Sequence, residues 1–399
     1  MEILFLGGMY PAELYKTIEA NSKKGLQFAA NNFQWSIIKG LEENLKDFSV
    51  LTAPFLSTFP FGYKRLFFKG CDFSGSSYKG KCISFINVPI IQTKKKKLIY
   101  EILEWYNHTS GKKCIIIYAL INDLMSAAIE VKNIHPDLSL CQIVPDLPEF
   151  INANKIYRFL GLKKLDSKSI KNNIKFIDSF VVLTPYMVDR LSIGHKPFLV
   201  IEGIYDSSST NIIDSTTQAT DDKIVLYTGA LTRKYGIIKL LDTFSLITQK
   251  DYKLWFCGGG ECVEEIEERS KNDARIKYWG LLPTTEVQAM QKKANVLVNP
   301  RPSGGEYTKY SFPSKTMEYL ASGTPVIMYK LEGVPQEYIE FCFVPLDDSV
   351  SELKNTIQKV CTMSTEERNN YRHKAHKFIL SQKNHKVQTR KIIDFIVNI

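Results

Sequence analysis

The chain has 399 residues, of which 44% are hydrophobic and 24% are charged, and its formal net charge is +10. This composition is ordinary for a globular protein with room for two domains, and it excludes a disordered or fibrous chain. No stretch reaches the ~18–20 apolar residues of a membrane span, and the apolar N-terminus lacks the basic region and cleavage site of a signal peptide. We therefore expect a cytoplasmic protein.

The positive charge favours an anionic partner such as a nucleotide or a membrane surface. Nucleic acid is not expected, because no helix-turn-helix, zinc-finger or RNP-type motif is present. The cysteines are scattered without a C-x-x-C pair and the six histidines form no cluster. These patterns predict buried reduced thiols and no metal site. The eight cysteines are Cys71, Cys82, Cys114, Cys141, Cys257, Cys262, Cys342 and Cys361.

Along the first half of the chain, apolar runs alternate with amphipathic segments, which is typical of a parallel α/β architecture. The predicted strands are EILFLG, FSVLTAP, CIIIYAL, LCQIVPD and SFVVLT. Between them, NNFQWSIIKGLEENL and LIYEILEWYNHT have helical spacing.

A segment rich in Ser, Thr and Asp, residues 205–223, interrupts this alternation and predicts a linker. A second alternating set follows, with predicted strands KIVLYTG, YKLWFCGGG, RIKYWG, ANVLVNP and TPVIMY. Its predicted helices are GIIKLLDTFSLIT, TTEVQAMQKKA and the segment after Pro313, and KVQTRKIIDFIVNI ends the chain.

Glycine-rich turns follow predicted strands in both halves, at Gly7–Gly8, at Gly229 and at residues 258–260. Glycine allows close approach of a ligand, and open α/β sheets bind ligands beyond the carboxyl ends of their strands. None of the turns matches G-x-G-x-x-G or the P-loop pattern, which disfavours a dehydrogenase or a P-loop enzyme.

The segment SFPSKTMEYLASGTPVI predicts a short helix packed on a sheet. Pro313 suits the first turn, Ser311 or Ser314 can accept a bond from the free N–H groups there, and Gly323 ends the helix. An open helix N-terminus binds phosphate well, and the carboxylate of Glu318 would then accept hydrogen bonds from ligand hydroxyls. The alternative is that Glu318 only complements the helix dipole.

The second half resembles the retaining glycosyltransferases of family 4 through an ordered set of motifs over residues 225–338. The motifs are VLYTGALTRKYGIIKLLDTF, LWFCGGGE, IKYWGLLPTTEVQAMQKKANVLVNPR and SFPSKTMEYLASGTPVIMYKLEGVPQEY. The first half resembles the acceptor domain of this family more loosely, through GGMYP, QIVPDLPEF and FVVLTPYMVDRL. The short motif variants look like those of transferases that build bacterial surface or capsular polysaccharides.

This resemblance implies an α/β protein of the GT-B fold, with two Rossmann-like domains facing a central cleft. We expect an acceptor-binding domain at 1–205, the linker at 206–222, a nucleotide-sugar-binding domain at 223–380 and a C-terminal helix at 381–399. That last helix would cross back to the first domain.

The resemblance also implies the residues that bind the donor. The helix before Glu318 would direct its N–H groups at the diphosphate, and Glu318 would bind the ribose hydroxyls. The remaining implied donor-binding residues are Gly7, Gly8, Gly229, Gly259, Leu282, Arg301, Tyr310, Ser314, Lys315 and Thr316. Arg233 and Lys234 would neutralise the leaving group, and Asp146 would orient or deprotonate the acceptor hydroxyl. Asp146 otherwise caps a turn.

Three positions depart from the pattern of the family. Tyr310 occupies the position of a second Glu that contacts the transferred sugar, so Tyr310, Tyr307 or Glu306 is left to take that part. The alternative is that the loop SGGEYTKY closes only when the donor binds. Ala230 replaces an Arg of the diphosphate site, and Pro145 replaces a His before Asp146.

The resemblance implies a retaining, metal-independent hexosyltransferase with no cofactor, which takes a nucleotide-diphosphate sugar, with UDP favoured. The acceptor would be a glycan or a lipid-linked oligosaccharide. Two alternatives stay open, namely a nucleotide-sugar 2-epimerase on the same fold and a partner subunit without catalytic activity. A discriminating test is incubation with labelled donors and an acceptor lipid.

Peripheral contact with an anionic membrane, at its inner face, is a further expectation. It rests on the basic run Lys94–Lys97 and on the aromatic stretch FGYKRLFFKG at 61–70, where Phe61, Tyr63, Phe67 and Phe68 would insert.

Overall fold

The computed structural model describes residues 1–88, 93–147, 149, 162–209 and 222–399. The chain divides into two compact units. Unit 1 contains Met1–Ile204 together with His385–Ile399, and unit 2 contains Tyr205–Asn384. The last helix is therefore part of unit 1. Most of the predicted linker 206–222 lies outside the described residues.

The strands of unit 1 are β1 (Glu2–Gly7), β2 (Phe48–Thr52), β3 (Phe67–Phe68), β4 (Asp72–Ser74), β5 (Tyr78–Cys82), β6 (Phe85–Ile86), β7 (Lys113–Tyr118), β8 (Ser139–Val144), β9 (Ser179–Val182) and β10 (Phe198–Val200). Eight of them form one sheet in the order β10-β9-β8-β7-β1-β2-β5-β4. All pairs are parallel except the edge pair of β4 and β5, and β3 pairs separately with β6.

The helices described in unit 1 are α1 (Ala12–Asn21), α2 (Phe28–Asn44), α3 (Thr93–His108), α4 (Asn122–Ile134), α5 (Leu162–Asn173) and α6 (Tyr186–Leu191), and the chain ends in α14 (His385–Val397). The helix α14 packs on α2. Thr389 fills the space that a side chain at Gly40 would need, because a Cβ there would lie 2.2 Å from the Thr389 hydroxyl. Nε2 of the buried His385 lies 2.7 Å from Oε1 of Glu43.

The strands of unit 2 are β11 (Lys223–Thr228), β12 (Tyr252–Cys257), β13 (Ile276–Tyr278), β14 (Val296–Asn299), β15 (Val326–Met328) and β16 (Cys342–Phe343). They form one parallel sheet in the order β13-β12-β11-β14-β15-β16. Its helices are α7 (Ile237–Ser245), α8 (Val263–Asn272), α9 (Thr284–Lys293), α10 (Lys315–Ser322), α11 (Gln336–Ile339), α12 (Val350–Cys361) and α13 (Thr365–Gln382).

The core of unit 2 lies on both faces of its sheet. Successive side chains of a strand point to opposite faces, so Val225 and Tyr227 of β11 join one buried cluster while Ile224 and Leu226 join another. A strand covered on both sides must be apolar throughout, which is why KIVLYT reads as a nearly continuous apolar run. The described architecture confirms the predicted parallel α/β class and each of the predicted strands.

All eight cysteines are unpaired, and six are buried while Cys71 and Cys342 are partly exposed. Within the described residues, no helix is long and apolar enough to cross a membrane.

Three of the four lysines in the basic run at the start of α3 face carboxylates within unit 1. The ammonium of Lys95 lies 2.9 Å from Glu130, and that of Lys97 lies 2.9 Å from Glu101. The Nζ of Lys94 lies 3.8 Å from Oδ2 of Asp123, and burial lowers the pKa of this lysine. These ion pairs remove most of the charge that was expected to attract a membrane.

The aromatic stretch at 61–70 divides between core and surface. Tyr63 and Phe68 are buried, so the prediction that they insert into a membrane is wrong, because both rings pack inside unit 1. Phe61 and Phe67 are exposed over 62% and 55% of their surface.

Candidate active site

The sheet of unit 2 reverses its strand order at β11. From β11 the chain adds β12 and β13 on one side and then β14, β15 and β16 on the other. The carboxyl ends of β11 and β14 are neighbours at this switch point, where open α/β sheets bind their ligands. The predicted donor-binding residues Gly229 and Arg301 follow these two strands.

The turns after β11 and β12 are joined by backbone hydrogen bonds. The N–H of Gly229 donates to the carbonyl of Cys257 and the N–H of Leu231 donates to that of Gly259, both at 2.9 Å. Gly229 has a φ of 122°, which side chains rarely permit, so glycine is required there. Burial raises the pKa of the Cys257 thiol, and the backbone N–H of Leu282 opposes this shift, so Leu282 lies beside the end of β12.

Helix α10 begins beside these turns. Ser314 is its N-cap residue but makes no capping bond, and Ser311 accepts a bond from Arg301 instead, so the predicted side-chain cap is wrong. The N–H of Thr316 donates to the carbonyl of Pro313, which leaves Thr316 without a free N–H for a ligand. In the described part of the chain, the N–H groups of Ser314 and Lys315 have no acceptor.

The far end of α10 is as predicted. Gly323 has a left-handed φ of 72°, and its N–H donates to the carbonyl of Leu320. The apolar strand β15 follows directly.

The side chain of Lys315 lies across the end of β11. Its Nζ is 2.5 Å from the hydroxyl of Tyr227 and 3.9 Å from the centre of that ring, and it is 5.6 Å from the ring of Tyr235. A Cβ on Gly229 would meet this Nζ at 3.0 Å, so the glycine faces the amine directly. The sequence predicted only a backbone contact from Lys315.

A second group of cations lies on the ring of Tyr307. The Nζ of Lys234 is 3.7 Å from the centre of the ring, and the guanidinium carbon of Arg301 is 4.6 Å from it. Arg301 is only 6% exposed, and its Nη2 donates to the hydroxyl of Ser311 at 2.7 Å. Its Nε is buried without a hydrogen-bond partner.

These three cations have no anionic partner in the described residues, where no carboxylate lies within 4.0 Å of Arg301, Lys234 or Lys315. Arg301 is buried, Lys315 is partly buried and Lys234 is exposed. Burying an unpaired charge such as that of Arg301 is costly, and proteins normally pair it or use it to bind an ion. The arrangement therefore fits an anionic ligand at the switch point, and guanidinium groups bind phosphate in a bidentate manner.

Glu318 follows Lys315 by three residues and is in the first turn of α10. Its side chain reaches solvent, yet the protein atoms around it limit its hydration and raise its pKa, while Lys315 opposes this shift. Loss of water around Lys315 lowers the pKa of its amine to about 7, with Glu318 raising it and Arg301 lowering it further.

The other predicted site residues described in this region are Arg233, Lys234 and Tyr310. Arg233 is exposed, and its backbone N–H donates to Oε1 of Glu261 at 3.0 Å. Lys234 precedes Tyr235 in the same short 3-10 turn, and burial and Arg301 lower the pKa of Lys234. The N–H of Tyr310 donates to the carbonyl of Tyr307 at 3.3 Å.

The predicted residues of unit 1 have different surroundings. A Cβ on Gly7 would collide with Oε1 of Gln34, and one on Gly8 with the ring of Phe55, so both glycines are required by packing. Asp146 follows β8 and is accessible, although nearby protein atoms limit its hydration and raise its pKa. Burial raises the pKa of Tyr118 at the end of β7, and the negative charge of Asp146 raises it further.

Sequence reasoning missed the three tyrosines Tyr227, Tyr235 and Tyr307 as supports for the cations. The available signal was the placement of Tyr227 and Tyr235 on either side of the glycine turn, close to basic residues. Among the residues described, no group of three or more His, Cys, Asp or Glu side chains is placed to hold a metal ion.

Comparison with protein families gives a match to "Glycosyl transferases group 1" over residues 208–378. Among solved structures, sucrose-phosphate synthase from Thermosynechococcus elongatus has a TM-score of 0.65 at 14% identity, covering 100% of this chain and 99% of that one. Anabaena Alr3699/HepE in complex with UDP and glucose has a TM-score of 0.60 at 12% identity and covers 100% of both chains.

The E. coli trehalose-6-phosphate protein bound with UDP-2-fluoro glucose has a TM-score of 0.64 at 9% identity, covering 100% of this chain and 99% of that one. A comparison with curated proteins gave no match. The fold is thus GT-B, with two Rossmann-like units. The group 1 match over unit 2 and this fold together indicate a glycosyltransferase.

Proposed function

We propose that this chain is a retaining glycosyltransferase of family 4 that acts in surface polysaccharide synthesis. It takes a nucleotide-diphosphate sugar in unit 2, and the acceptor is a glycan or a lipid-linked oligosaccharide held by unit 1. The observation that carries the proposal is the group of three unpaired cations beside the start of α10. The likeness to structures that contain UDP or a UDP-sugar supports UDP as the nucleotide.

In this reaction the bond between the anomeric carbon and the diphosphate oxygen breaks, and a bond forms between that carbon and the acceptor hydroxyl oxygen, which loses its proton. The leaving diphosphate gains negative charge. Arg301, Lys234 and Lys315 neutralise that charge, which is electrostatic stabilisation by groups already in place. The N–H groups of Ser314 and Lys315 add donors at the positive end of α10. The chain's own cations thus supply what a divalent metal supplies in other transferases, so we propose that no metal is needed.

Glu318 is proposed to accept hydrogen bonds from the ribose hydroxyls. Its accessible carboxylate lies in the first turn of the helix whose start is proposed to bind the phosphate, and a carboxylate accepts strong hydrogen bonds from hydroxyl groups. Asp146 is proposed to orient or deprotonate the acceptor hydroxyl, since its raised pKa favours proton uptake. The donor phosphate oxygen is the alternative proton acceptor in a front-face attack.

The decisive experiment is a screen of radiolabelled UDP-, GDP- and TDP-sugars with lipid-linked and free glycan acceptors. Transfer with retained anomeric configuration, read by NMR of the product, is expected. Inversion at C2 of the nucleotide sugar would instead identify a 2-epimerase. Donor binding without turnover on any acceptor would indicate a partner subunit that has lost catalysis.

We also propose that unit 1 contacts an anionic membrane at the cytoplasmic face, through exposed residues of 61–69 rather than through α3. Phe61, Leu66 and Phe67 are exposed, and Lys64, Arg65 and Lys69 are exposed between and beside them. Aromatic and basic side chains together suit the interface of an anionic bilayer.

Co-sedimentation with phosphatidylglycerol-containing and neutral liposomes tests this contact. The double variant Phe61→Ser with Phe67→Ser is expected to release the protein from anionic liposomes, whereas changing Lys94–Lys97 to Gln is expected to have little effect. Equal sedimentation with neutral liposomes, or none with either, would contradict the proposal.

A further inference from the structure

We infer that the side-chain ammonium of Lys315 binds the donor diphosphate directly and makes donor binding dependent on proton uptake. This inference rests on the proposed function of unit 2 and specifies how its site is regulated. It assigns to Lys315 a side-chain role, in addition to the backbone N–H that a helix start offers.

The first support is the hydrogen-bond inventory of the amine. The hydroxyl of Tyr227 donates its single proton to the carbonyl of Ala230 at 2.7 Å. It can therefore only accept from Nζ of Lys315, which lies 2.5 Å away. An ammonium has three N–H donors, so two are left over, and in the described part of the chain they have no acceptor.

The second support is the access that Gly229 provides. Gly229 has no side chain to cover the amine on the side of the turn. Among the described residues other than its chain neighbours, a Cβ at Gly229 would have only Nζ and Cε of Lys315 within 4 Å. The rings of Tyr227 and Tyr235 hold the amine from other sides without neutralising it. A ligand oxygen in this position would meet the unused donors at the carboxyl end of β11.

The third support is the electrostatic surroundings. The groups that face the amine are Tyr227 on β11, Tyr235 on the 3-10 turn, Arg301 after β14 and Glu318 on its own helix. A guanidinium does not release its proton, so the lysine is the group that becomes neutral when no anion is present. With a pKa of about 7, the free amine is about half protonated at neutral pH.

A bound diphosphate carries two negative charges, which favour the ammonium and raise its pKa. Binding at pH 7 then takes about half a proton from the buffer, and none is taken where Lys315 is already charged. By linkage, affinity falls as the pH rises above about 7 and is nearly constant well below it.

The test is isothermal calorimetry of UDP, GDP and ADP with the full chain at about pH 6, 7 and 8, in buffers of different ionisation heat. The terminal phosphate of the nucleotide also titrates in this range, and the pH dependence measured with Lys315→Met gives that contribution alone. After this contribution is subtracted, we expect the nucleotide that binds to bind the wild-type chain roughly tenfold more weakly at pH 8 than at pH 6. Lys315→Met is expected to bind at least about tenfold more weakly at pH 6 and to lose the proton uptake. Lys315→Arg, always charged, is expected to bind without that pH dependence.

Lys223→Met is the matched control, because Lys223 is at the opposite end of β11, 4.9 Å from the ring of Tyr252 and paired with Asp251. It should leave binding and its pH dependence unchanged. If Lys315 had only a structural role, the Lys315→Met variant would have a lowered Tm but would bind the nucleotide with wild-type affinity and pH dependence. That result would overturn the inference and leave the proposed function standing. Failure of every nucleotide to bind the wild-type chain would overturn the proposed function, and this inference with it.

Discussion

The two units use the same arrangement of parallel strands but fill the switch point of their sheets differently. In unit 1 the space beside Gly7 and Gly8 is occupied by Gln34, whose Oε1 accepts the N–H of Gly8 at 2.7 Å, and by the ring of Phe55. That ring stacks on Tyr118, with 6.3 Å between the ring centres. In unit 2, Gly229 faces the amine of Lys315 instead.

The strand order therefore positions a site but does not by itself make it bind phosphate. Both sheets end their first strand in a glycine turn, and in unit 2 Arg301, Lys234 and Lys315 have no carboxylate within 4.0 Å among the described residues. Anion binding is therefore decided by side chains that the loops and α10 bring to the edge. Four changes test this difference between the units.

The largest effect is expected for Arg301→Gln. Removing the buried cation should lower kcat/KM for the donor by about 100- to 1000-fold, as for other preorganised groups that stabilise a leaving charge. The Tm should not fall, since the variant removes an unpaired buried charge. Steady-state kinetics with varied donor and a thermal melt measure the two quantities.

Arg275→Gln is the control for that variant, because the Arg275 guanidinium is paired with Asp273 at 2.7 Å and bonds the carbonyl of Ile247. It should lose stability and keep donor kinetics. A folded Arg301→Gln with wild-type kcat/KM would remove the central argument for a diphosphate site.

Glu318→Gln should weaken donor use next most strongly. The loss of a charged hydrogen-bond acceptor is worth roughly 1.5–3 kcal/mol, which corresponds to about 10- to 150-fold in kcat/KM. The measurement is donor kinetics with the intact nucleotide sugar, together with circular dichroism to show that the variant is folded.

Glu352→Gln removes a first-turn carboxylate from α12 and tests the simpler explanation by the helix dipole. If Glu318 acted only on the dipole, both variants would lose a few tenths of a kcal/mol of stability and neither would change donor use.

Gly8→Ala addresses the packed switch point of unit 1. The new methyl would lie 2.0 Å from the Phe55 ring, so we expect a loss of about 1–3 kcal/mol in the free energy of unfolding, measured in urea. The donor KM of the folded variant should not change. A changed KM with unaltered stability would show instead that this turn binds the donor, as the sequence implied.

The smallest effect is expected from metal removal. Because cations of the chain neutralise the diphosphate in our proposal, EDTA should leave the transfer rate within error of the untreated enzyme. Activity that disappears in EDTA and returns with Mg²⁺ or Mn²⁺ would show that the lysines and arginine are not sufficient.

Much of the fold was accessible from the sequence, because buried parallel strands must be apolar throughout. The strand beginning at Glu2 and the one beginning at Lys223 were predicted within one residue of their bounds, and so was the end of α10 at Gly323. Short elements were missed, such as β10 and β16, since two or three residues give no periodicity. The capping box of Ser364 and Glu367 that begins α13 was a visible signal that went unused.

The α/β class, the order of the strands along the chain and the chemical types near Glu318 could all be predicted from the sequence alone. The sequence could not determine which lysines are neutralised, because ion pairs such as Lys95 with Glu130 join residues on different helices. It could not show that Lys315 lies against Tyr227, 88 positions away, or that Arg301 is buried without a carboxylate. Charge compensation depends on distances in space, and only the tertiary structure sets those distances.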